Sequence, residues 1–112
     1  MIFSKSYCPH CKGAKYTLKT LVKELRRDIS YKVVELDKLP KDDGEKIQNQ
    51  LKKITNQNTV PSIFIAHVHI GGNSDLQALH DDGRLRSTLL AAVDRREEDA
   101  EADRLDREAS DL

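Results

Sequence analysis

The stretch MIFSKSYCPHC, residues 1–11, places a short β-prone run directly before two closely spaced cysteines. From Cys11 onward the apolar residues change to helical spacing. They are Ala14, Leu18, Leu21, Val22 and Leu25. The stretch therefore predicts a strand, a loop that carries Cys8 and Cys11, and a helix that begins at the cysteine pair.

Further along the chain, strand and helix patterns alternate. The periodicity predicts a second strand, a second helix, a hairpin of two strands and two final helices. Their expected bounds are residues 31–37, 44–55, 62–65 with 67–70, 74–79 and 85–93. Each helix has only one apolar stripe to bury, so a parallel β-α-β unit followed by a hairpin must form one mixed sheet covered by helices. We therefore predict an α/β chain with a thioredoxin-like fold, in which helices flank a central four-stranded mixed sheet.

The charges are distributed unevenly, although the 112 residues have a formal net charge of zero. Residues 94–112 contain nine acidic residues and four arginines, which leaves residues 1–93 with an excess of five positive charges. We expect one domain at residues 1–93 and a charged acidic tail at residues 94–112. The tail has few apolar residues to bury, so we expect it to be solvated, partly frayed and without a chemical role. The alternatives are a continuation of the last helix and a segment that docks on a partner.

The composition excludes several classes of protein. No apolar run approaches the length of a membrane span, and the chain does not open with a long hydrophobic stretch followed by a cleavage-like site. The lysines of the predicted helices have no stacking aromatic residues between them. We therefore expect no nucleic-acid partner and no membrane segment within this chain.

The two cysteines are too few for a structural disulfide framework. Zinc sites use the same C-x-x-C spacing, but they need a second pair of ligands, which the sequence does not supply as cysteines. Metal ligands could be sought among His67, His69 and His80. Positions on a solvated strand face and at a helix end explain these histidines better. We therefore expect no metal, and we interpret the cysteine pair as redox chemistry.

Because the pair lies at the start of a helix, the first sulfur is well placed to carry a negative charge. Unpaired N–H groups and the positive end of the helix dipole converge there. Pro9 fits the first helical position, because its missing N–H would have no intrahelical partner. We predict that Cys8 is the exposed nucleophile and that Cys11 is the shielded second thiol. Nearby positive charge lowers a thiol pKa further, and it is supplied here by Lys5, Lys12 and a protonatable His10.

Three separated motifs resemble the glutaredoxin family in content, order and spacing. They are KSYCPHC at residues 5–11, TVP at residues 59–61 and GGNSDL at residues 71–76. The resemblance covers about residues 2–93 and implies a dithiol glutaredoxin of the thioredoxin-fold superfamily. It implies a glutathione-dependent thiol–disulfide oxidoreductase that reduces protein–glutathione mixed disulfides and protein disulfides through Cys8, with Cys11 as the second catalytic residue. The implied partners are glutathione, as co-substrate, and glutathionylated or disulfide-containing proteins.

The resemblance also assigns the residues that contact glutathione. In the family the proline of TVP follows a cis peptide bond, and the residue before it pairs with the cysteinyl part of glutathione. Those positions are Pro61 and Val60 here. Lys5 is implied to meet the glycyl carboxylate, and Ser74 and Asp75 are implied to hold the γ-glutamyl end. The implied set is completed by Tyr7, His10, Gln57, Thr59 and Gly72.

Two positions depart from the family pattern. His10 stands where many members have Tyr, and Asn58 stands where a basic residue often precedes TVP. Gln57 is therefore expected to take over the lost contact. The CPHC tetrad is also similar to the active site of periplasmic disulfide oxidants, in which the histidine stabilises the reduced thiolate form. A more oxidising enzyme of the same class therefore stays an alternative, although the sequence has no counterpart to the large helical insertion of those oxidants.

The main alternative within the family is an iron–sulfur cluster-binding glutaredoxin that acts as a carrier or sensor. In that case two chains and two glutathione molecules would surround one cluster. A smaller residue follows the first cysteine in related cluster-binding members, so Pro9 favours the enzyme and a monomer.

The default compartment is the cytoplasm. The stretches SKSYCP and VVELD are also similar to secretory-pathway glutaredoxins, which carry an N-terminal anchor. Met1 lies inside the first predicted strand, whereas family members usually have residues before it. A longer parent chain and the lumen of the secretory pathway therefore stay open as alternatives.

Overall fold

The structure, a computed structural model, describes residues 1–110. Its strands are β1 (Ile2–Ser4), β2 (Val33–Glu35), β3 (Ser62–Ile65) and β4 (Val68–Gly71). Its helices are α1 (Pro9–Leu25), α2 (Asp43–Thr55), α3 (Asn73–Asp81) and α4 (Arg84–Ser110), and a 3-10 turn covers Leu36–Lys38. The order of strands and helices is the one predicted from periodicity.

The strands form one sheet in the order β2-β1-β3-β4. β1 runs parallel to β2, with Ile2 opposite Val33, and antiparallel to β3, with Ile2 opposite Ile63. β3 and β4 form the expected antiparallel hairpin. The predicted α/β architecture, a four-stranded mixed sheet flanked by helices, is confirmed.

One apolar cluster joins the sheet to α1, α3 and α4. Ile2 and Ile63 supply its centre and are almost fully buried. The helices contribute residues that recur every three or four positions, as expected for amphipathic helices. These residues are Ala14, Leu18, Leu21, Leu76, Leu85 and Leu89. The same core therefore fixes α1 and α3, and the first turns of both helices carry predicted site residues.

The tail differs from the expectation. α4 continues without a break to Ser110, so the prediction of partial fraying is wrong for residues 94–110. The described side chains beyond Val93 are solvent-exposed, as predicted. Charge pairs support such a polar helix, and they join Arg27 to Asp94 (3.0 Å) and Glu97 (3.4 Å), and Arg104 to Glu101 (2.6 Å). The division of the chain at residues 93 and 94 stays a prediction, and residues 111–112 lie outside the described part.

Two smaller elements also have other bounds than predicted. β2 stops at Glu35 because Leu36 is buried at the start of the 3-10 turn. Ala66 and His67 have positive φ angles of 51° and 67°, which are typical of a tight hairpin turn. β4 therefore begins at Val68, and His67 leaves the strand face that it was expected to share with His69. Among residues 1–110, no helix is both long enough and apolar enough to cross a membrane.

Gly44 allows α2 to approach the 3-10 turn, and this contact is testable. A methyl group at this position would lie 2.1 Å from the carbonyl oxygen of Leu36, which is backbone and cannot rotate away. Although alanine normally stabilises a helix by about 0.5–1 kcal/mol relative to glycine, we expect Gly44→Ala to lower the free energy of unfolding by about 1–3 kcal/mol. Chemical denaturation measures this change.

Gly13→Ala in α1 is the matched control. A methyl group at position 13 would lie 3.3 Å from the side chain of Asn73, which can move aside. We expect the free energy of unfolding of this variant to change by less than about 1 kcal/mol. A Gly44→Ala variant that is more stable than the parent would contradict the described packing of α2.

Candidate active site at the start of α1

Cys8 is the residue that precedes the first turn of α1. Its backbone is extended, with φ −82° and ψ 121°, and Pro9 occupies the first helical position as predicted. The amide of Cys8 donates to the carbonyl of Lys5 at 3.1 Å, which closes the turn between β1 and α1. The sulfur makes no cap hydrogen bond of ordinary geometry, but it lies close to the amides of the first turn. A negative charge on this atom therefore meets the favourable end of the helix dipole.

The thiol of Cys8 has a lowered pKa. Burial on its own raises this pKa, but several groups that favour the anion outweigh burial. In order of effect they are the backbone N–H and the thiol of Cys11, the N–H of His10 and the positive charge of Lys15. Cys8, which is partly exposed, is thus a more acidic thiol than an ordinary cysteine.

The thiol of Cys11 has the opposite character. Its side chain is fully buried, and this burial raises its pKa. The backbone N–H of Lys5 and the hydroxyl of Ser4 oppose the effect, whereas the neighbouring Cys8 adds to it. The structure therefore places a partly exposed, acidic sulfur beside a buried sulfur with a raised pKa. The roles of Cys8 as nucleophile and Cys11 as second thiol stay predictions.

Lys15 is a part of the site that the sequence analysis missed. It follows Cys11 by one helical turn, and its Nζ lies 2.7 Å from Oε1 of Glu35 on β2. Both side chains are about three-quarters buried, with exposed fractions of 26% and 23%. The periodic lysines of α1 suggested a solvated face, so nothing in the spacing distinguished Lys15 from its neighbours.

The loop before β3 faces the sulfur of Cys8. The peptide bond between Val60 and Pro61 is cis, as the resemblance implied. The thiol of Cys8 donates to the carbonyl oxygen of Val60 across 3.9 Å, a distance typical of a weak hydrogen bond from sulfur. Pro61 is buried and Val60 is half-buried. The predicted nucleophile and the predicted glutathione-pairing residue are therefore direct neighbours.

An open groove with a volume of about 770 Å³ extends from this loop to the start of α3. It brings together eight of the predicted contacts, namely His10, Gln57, Thr59, Val60, Pro61, Gly72, Ser74 and Asp75. A second, more apolar cavity of about 400 Å³ contains neither cysteine and none of the predicted site residues. We therefore place the candidate site in the first groove, because it adjoins the acidic thiol.

The start of α3 forms the far end of the groove. The carboxylate of Asp75 accepts a hydrogen bond from the N–H of Gly72 at 3.0 Å, which caps the helix. Gly71 has a φ of 122°, and a methyl group there would lie 2.2 Å from the Asp75 carboxylate. Only glycine fits this position. Ser74 is exposed at the same helix end.

Lys5 and Tyr7, the two remaining predicted contacts, do not line the groove. Lys5 is half-buried, and Tyr7 has 67% of its surface exposed. Their loop is anchored by Asp37, whose carboxylate accepts hydrogen bonds from the N–H of Ser6 at 2.9 Å and from its hydroxyl. These bonds lower the pKa of Asp37. The anchor was missed because it joins residues 31 positions apart, and the glutathione contacts of Lys5 and Tyr7 stay predictions.

Gln57 has a role that the sequence did not indicate. Its Nε2 donates to the carbonyl oxygens of Thr59 at 3.0 Å and Pro61 at 2.8 Å, and it also lies 3.3 Å from the Thr59 hydroxyl. The carboxamide therefore supports its own loop. A direct contact between Gln57 and glutathione, in compensation for Asn58, stays a prediction.

Together these features define a class of protein. Two cysteines separated by two residues begin a helix, the second thiol is buried, and a cis-proline loop lies next to the first thiol. A four-stranded mixed sheet with flanking helices carries both elements. This is the arrangement of a thioredoxin-fold protein with a redox-active cysteine pair.

Comparison with known proteins specifies the family. The Glutaredoxin family model matches residues 1–70. Glutaredoxin-1 of Rhizophagus irregularis is 47% identical over 93 residues, which cover 83% of each chain. Glutaredoxin-2 of Schizosaccharomyces pombe is 48% identical over 88 residues, which cover 79% of this chain and 73% of the relative. The crystal structure of a buckwheat glutaredoxin–glutathione complex superposes with a TM-score of 0.71 at 36% identity, covering 81% of this chain and 76% of that one.

The chain belongs to the glutaredoxin family, whose members are thiol oxidoreductases with the thioredoxin fold.

The opposite pKa shifts of the two thiols predict their order of alkylation. Because the pKa of Cys8 is lowered, its thiolate should form and react with iodoacetamide below the ordinary thiol pKa of about 8.5. Cys11 should stay unmodified over the same range, because its pKa is raised and its sulfur is buried. Mass spectrometry after brief alkylation at a series of pH values measures both.

Lys15→Met is the control for the electrostatic contribution. Removal of the ammonium should shift the alkylation midpoint of Cys8 to higher pH, because one of the groups that lower this pKa is lost. Preferential alkylation of Cys11, or a Cys8 midpoint at or above the ordinary value, would contradict the described environments.

Proposed function

We propose that this glutaredoxin is a glutathione-dependent thiol–disulfide oxidoreductase that removes glutathione from protein–glutathione mixed disulfides and also reduces protein disulfides. The observation that carries this proposal is the acidic sulfur of Cys8 at the end of the groove, 3.9 Å from the carbonyl of Val60. A nucleophilic sulfur and a surface suited to a small anionic peptide thus adjoin each other.

The first step is attack of the Cys8 thiolate on the glutathionyl sulfur of a mixed disulfide. The new bond joins Cys8 to glutathione, the old S–S bond breaks, and the protein thiolate leaves and takes a proton from solvent. Cys8 is thereby oxidised to the mixed disulfide, and the protein sulfur is reduced to a thiol. The N–H groups of His10 and Cys11 favour the thiolate that starts this step.

Several features of the groove match the chemistry of glutathione. The tripeptide has a carboxylate at each end and an amine beside one of them. The N-terminus of α3 attracts one carboxylate, and Asp75 at the same end suits the amine. The backbone of Val60 lies beside the reacting sulfur, where the cysteinyl part must be. The buckwheat relative of this chain was solved as a complex with glutathione, which supports the same ligand here.

The second step regenerates the enzyme. A second glutathione thiolate attacks the glutathionyl sulfur on Cys8, so glutathione disulfide forms and the Cys8 thiolate leaves. A lowered pKa raises the fraction of thiolate but lowers the nucleophilicity of each thiolate, so the two effects on attack largely cancel. The same lowered pKa makes the sulfur a better leaving group. The lowered pKa of Cys8 therefore contributes mainly to its release from the mixed disulfide.

Cys11 provides a second route when the substrate is a protein disulfide. After Cys8 has attacked, the Cys11 thiol loses its proton and attacks the sulfur of Cys8, which releases the substrate and forms the Cys8–Cys11 disulfide. Two glutathione molecules then reduce this bond and leave as glutathione disulfide. Because burial raises the pKa of Cys11, a second glutathione competes well with Cys11 for the Cys8–glutathione disulfide of the first route.

The two routes predict an asymmetry between the cysteines. Cys8→Ser should reduce glutathione transfer from a glutathionylated peptide to background, because a serine hydroxyl keeps its proton at neutral pH. Cys11→Ser should retain this transfer and lose reduction of protein disulfides. Turnover measured with both substrates, in the presence of glutathione and a glutathione-regenerating system, tests the proposal.

Equal loss of glutathione transfer in both variants would overturn the assigned roles. Wild-type protein without transfer activity would overturn the proposed function itself. The visible absorption spectrum of anaerobically purified protein tests the cluster-binding alternative, for which a brown colour and a dimer held by glutathione are the expected signs.

A further inference from the structure

A chain of hydrogen bonds connects β4 to the loop that faces Cys8. Nε2 of His69 on β4 lies 2.9 Å from Oε1 of Gln57. Nε2 of Gln57 in turn reaches the carbonyl oxygens of Thr59 and Pro61. The carboxamide of Gln57 therefore bridges a strand of the sheet and the residues on either side of Val60.

The partners of the Gln57 carboxamide determine which atom of His69 carries a proton. Three oxygen atoms surround one end of the carboxamide, so that end must be the NH₂ group, which can only donate. The other end is an acceptor oxygen, and it faces His69. Two acceptors cannot bond, so Nε2 of His69 must carry hydrogen and donate it to Gln57.

His69 itself has a fixed position. It is paired with Phe64 across the hairpin, and the two rings lie with their centroids 5.0 Å apart. The hydroxyl of Ser62 on β3 is 3.4 Å from the same nitrogen. Ser62 is buried and His69 is half-buried. The imidazole is therefore held by the sheet, whereas residues 59 and 60 lie outside any strand.

From this geometry we infer that His69 is a positioning residue for glutathione. By donating from Nε2 it sets the orientation of the Gln57 carboxamide, and the carboxamide then fixes the two carbonyl groups that bracket Val60. The carboxamide bonds to neither the N–H nor the C=O of Val60 itself, so these two groups stay available to the ligand. The inference rests on the proposed function, because it gives His69 a part in binding the same substrate.

Two variants separate the hydrogen bond from the packing. His69→Phe keeps a ring beside Phe64 and removes the donor. His69→Gln places an amide N–H at the same number of bonds from the backbone and restores a donor. We expect His69→Phe to slow glutathione transfer from a glutathionylated peptide to Cys8 about fivefold in a single turnover, the effect of one lost hydrogen bond, and His69→Gln to recover most of it.

Alkylation of Cys8 by iodoacetamide is the internal control, because this reagent is too small to need the groove. Its rate and pH midpoint should be the same in His69→Phe and in the wild type. A merely destabilised protein would instead show a changed alkylation profile. Equal transfer rates in His69→Phe and wild type, or a His69→Gln variant as slow as His69→Phe, would overturn the inference.

A double-mutant cycle tests whether His69 acts through Gln57. In a Gln57→Met background the carboxamide is absent, so His69→Phe should cause no further loss of transfer. A full additional loss in that background would show that His69 acts by another path and would overturn the positioning role.

The nitrogen chemical shifts of the His69 ring provide a readout that does not depend on turnover. At neutral pH we expect hydrogen on Nε2, and a ring that carries its only hydrogen on Nδ1 would overturn the inference even if the enzyme is active. Failure of the proposed function would be seen separately, as wild-type protein that does not transfer glutathione.

Discussion

The contact between the sulfur of Cys8 and the Val60 loop, at the open end of α1, is the interaction on which the rest of the site depends. The helix supplies N–H groups that favour an anion, and the loop supplies a backbone edge at 3.9 Å. Neither element makes a site alone. The core brings them together, because β1 leads into α1 and pairs with β3, which follows directly after the loop.

Two thiols in one helical turn differ in character because only one of them is buried. Cys8 lies at the helix end, where amides and Lys15 favour its anion, whereas Cys11 points into the core and has a raised pKa. This difference makes the two sulfurs chemically distinct. Under the proposed function, the acidic sulfur attacks first and leaves easily, and the shielded sulfur acts only after the first has reacted.

Local signals predicted most of the fold, and long-range contacts account for most of what was missed. Helical spacing, the Pro9 start and the hairpin identified the strand and helix order and which of the two thiols is buried. The anchor at Asp37, the charge of Lys15 and the support from His69 depend on which residues meet across the sheet, and spacing along the chain does not encode this. The length of α4 was missed because charge pairs, and not an apolar stripe, accompany its residues 94–104.

A structure of the Cys11→Ser variant with glutathione joined to Cys8 tests the central claim most directly. This variant cannot close the Cys8–Cys11 disulfide, so the mixed disulfide accumulates. Glutathione should lie in the groove, with its cysteinyl backbone paired to the N–H and C=O of Val60 and one carboxylate at the start of α3. A tripeptide that extends into solvent, without bonds to Val60, would contradict the account.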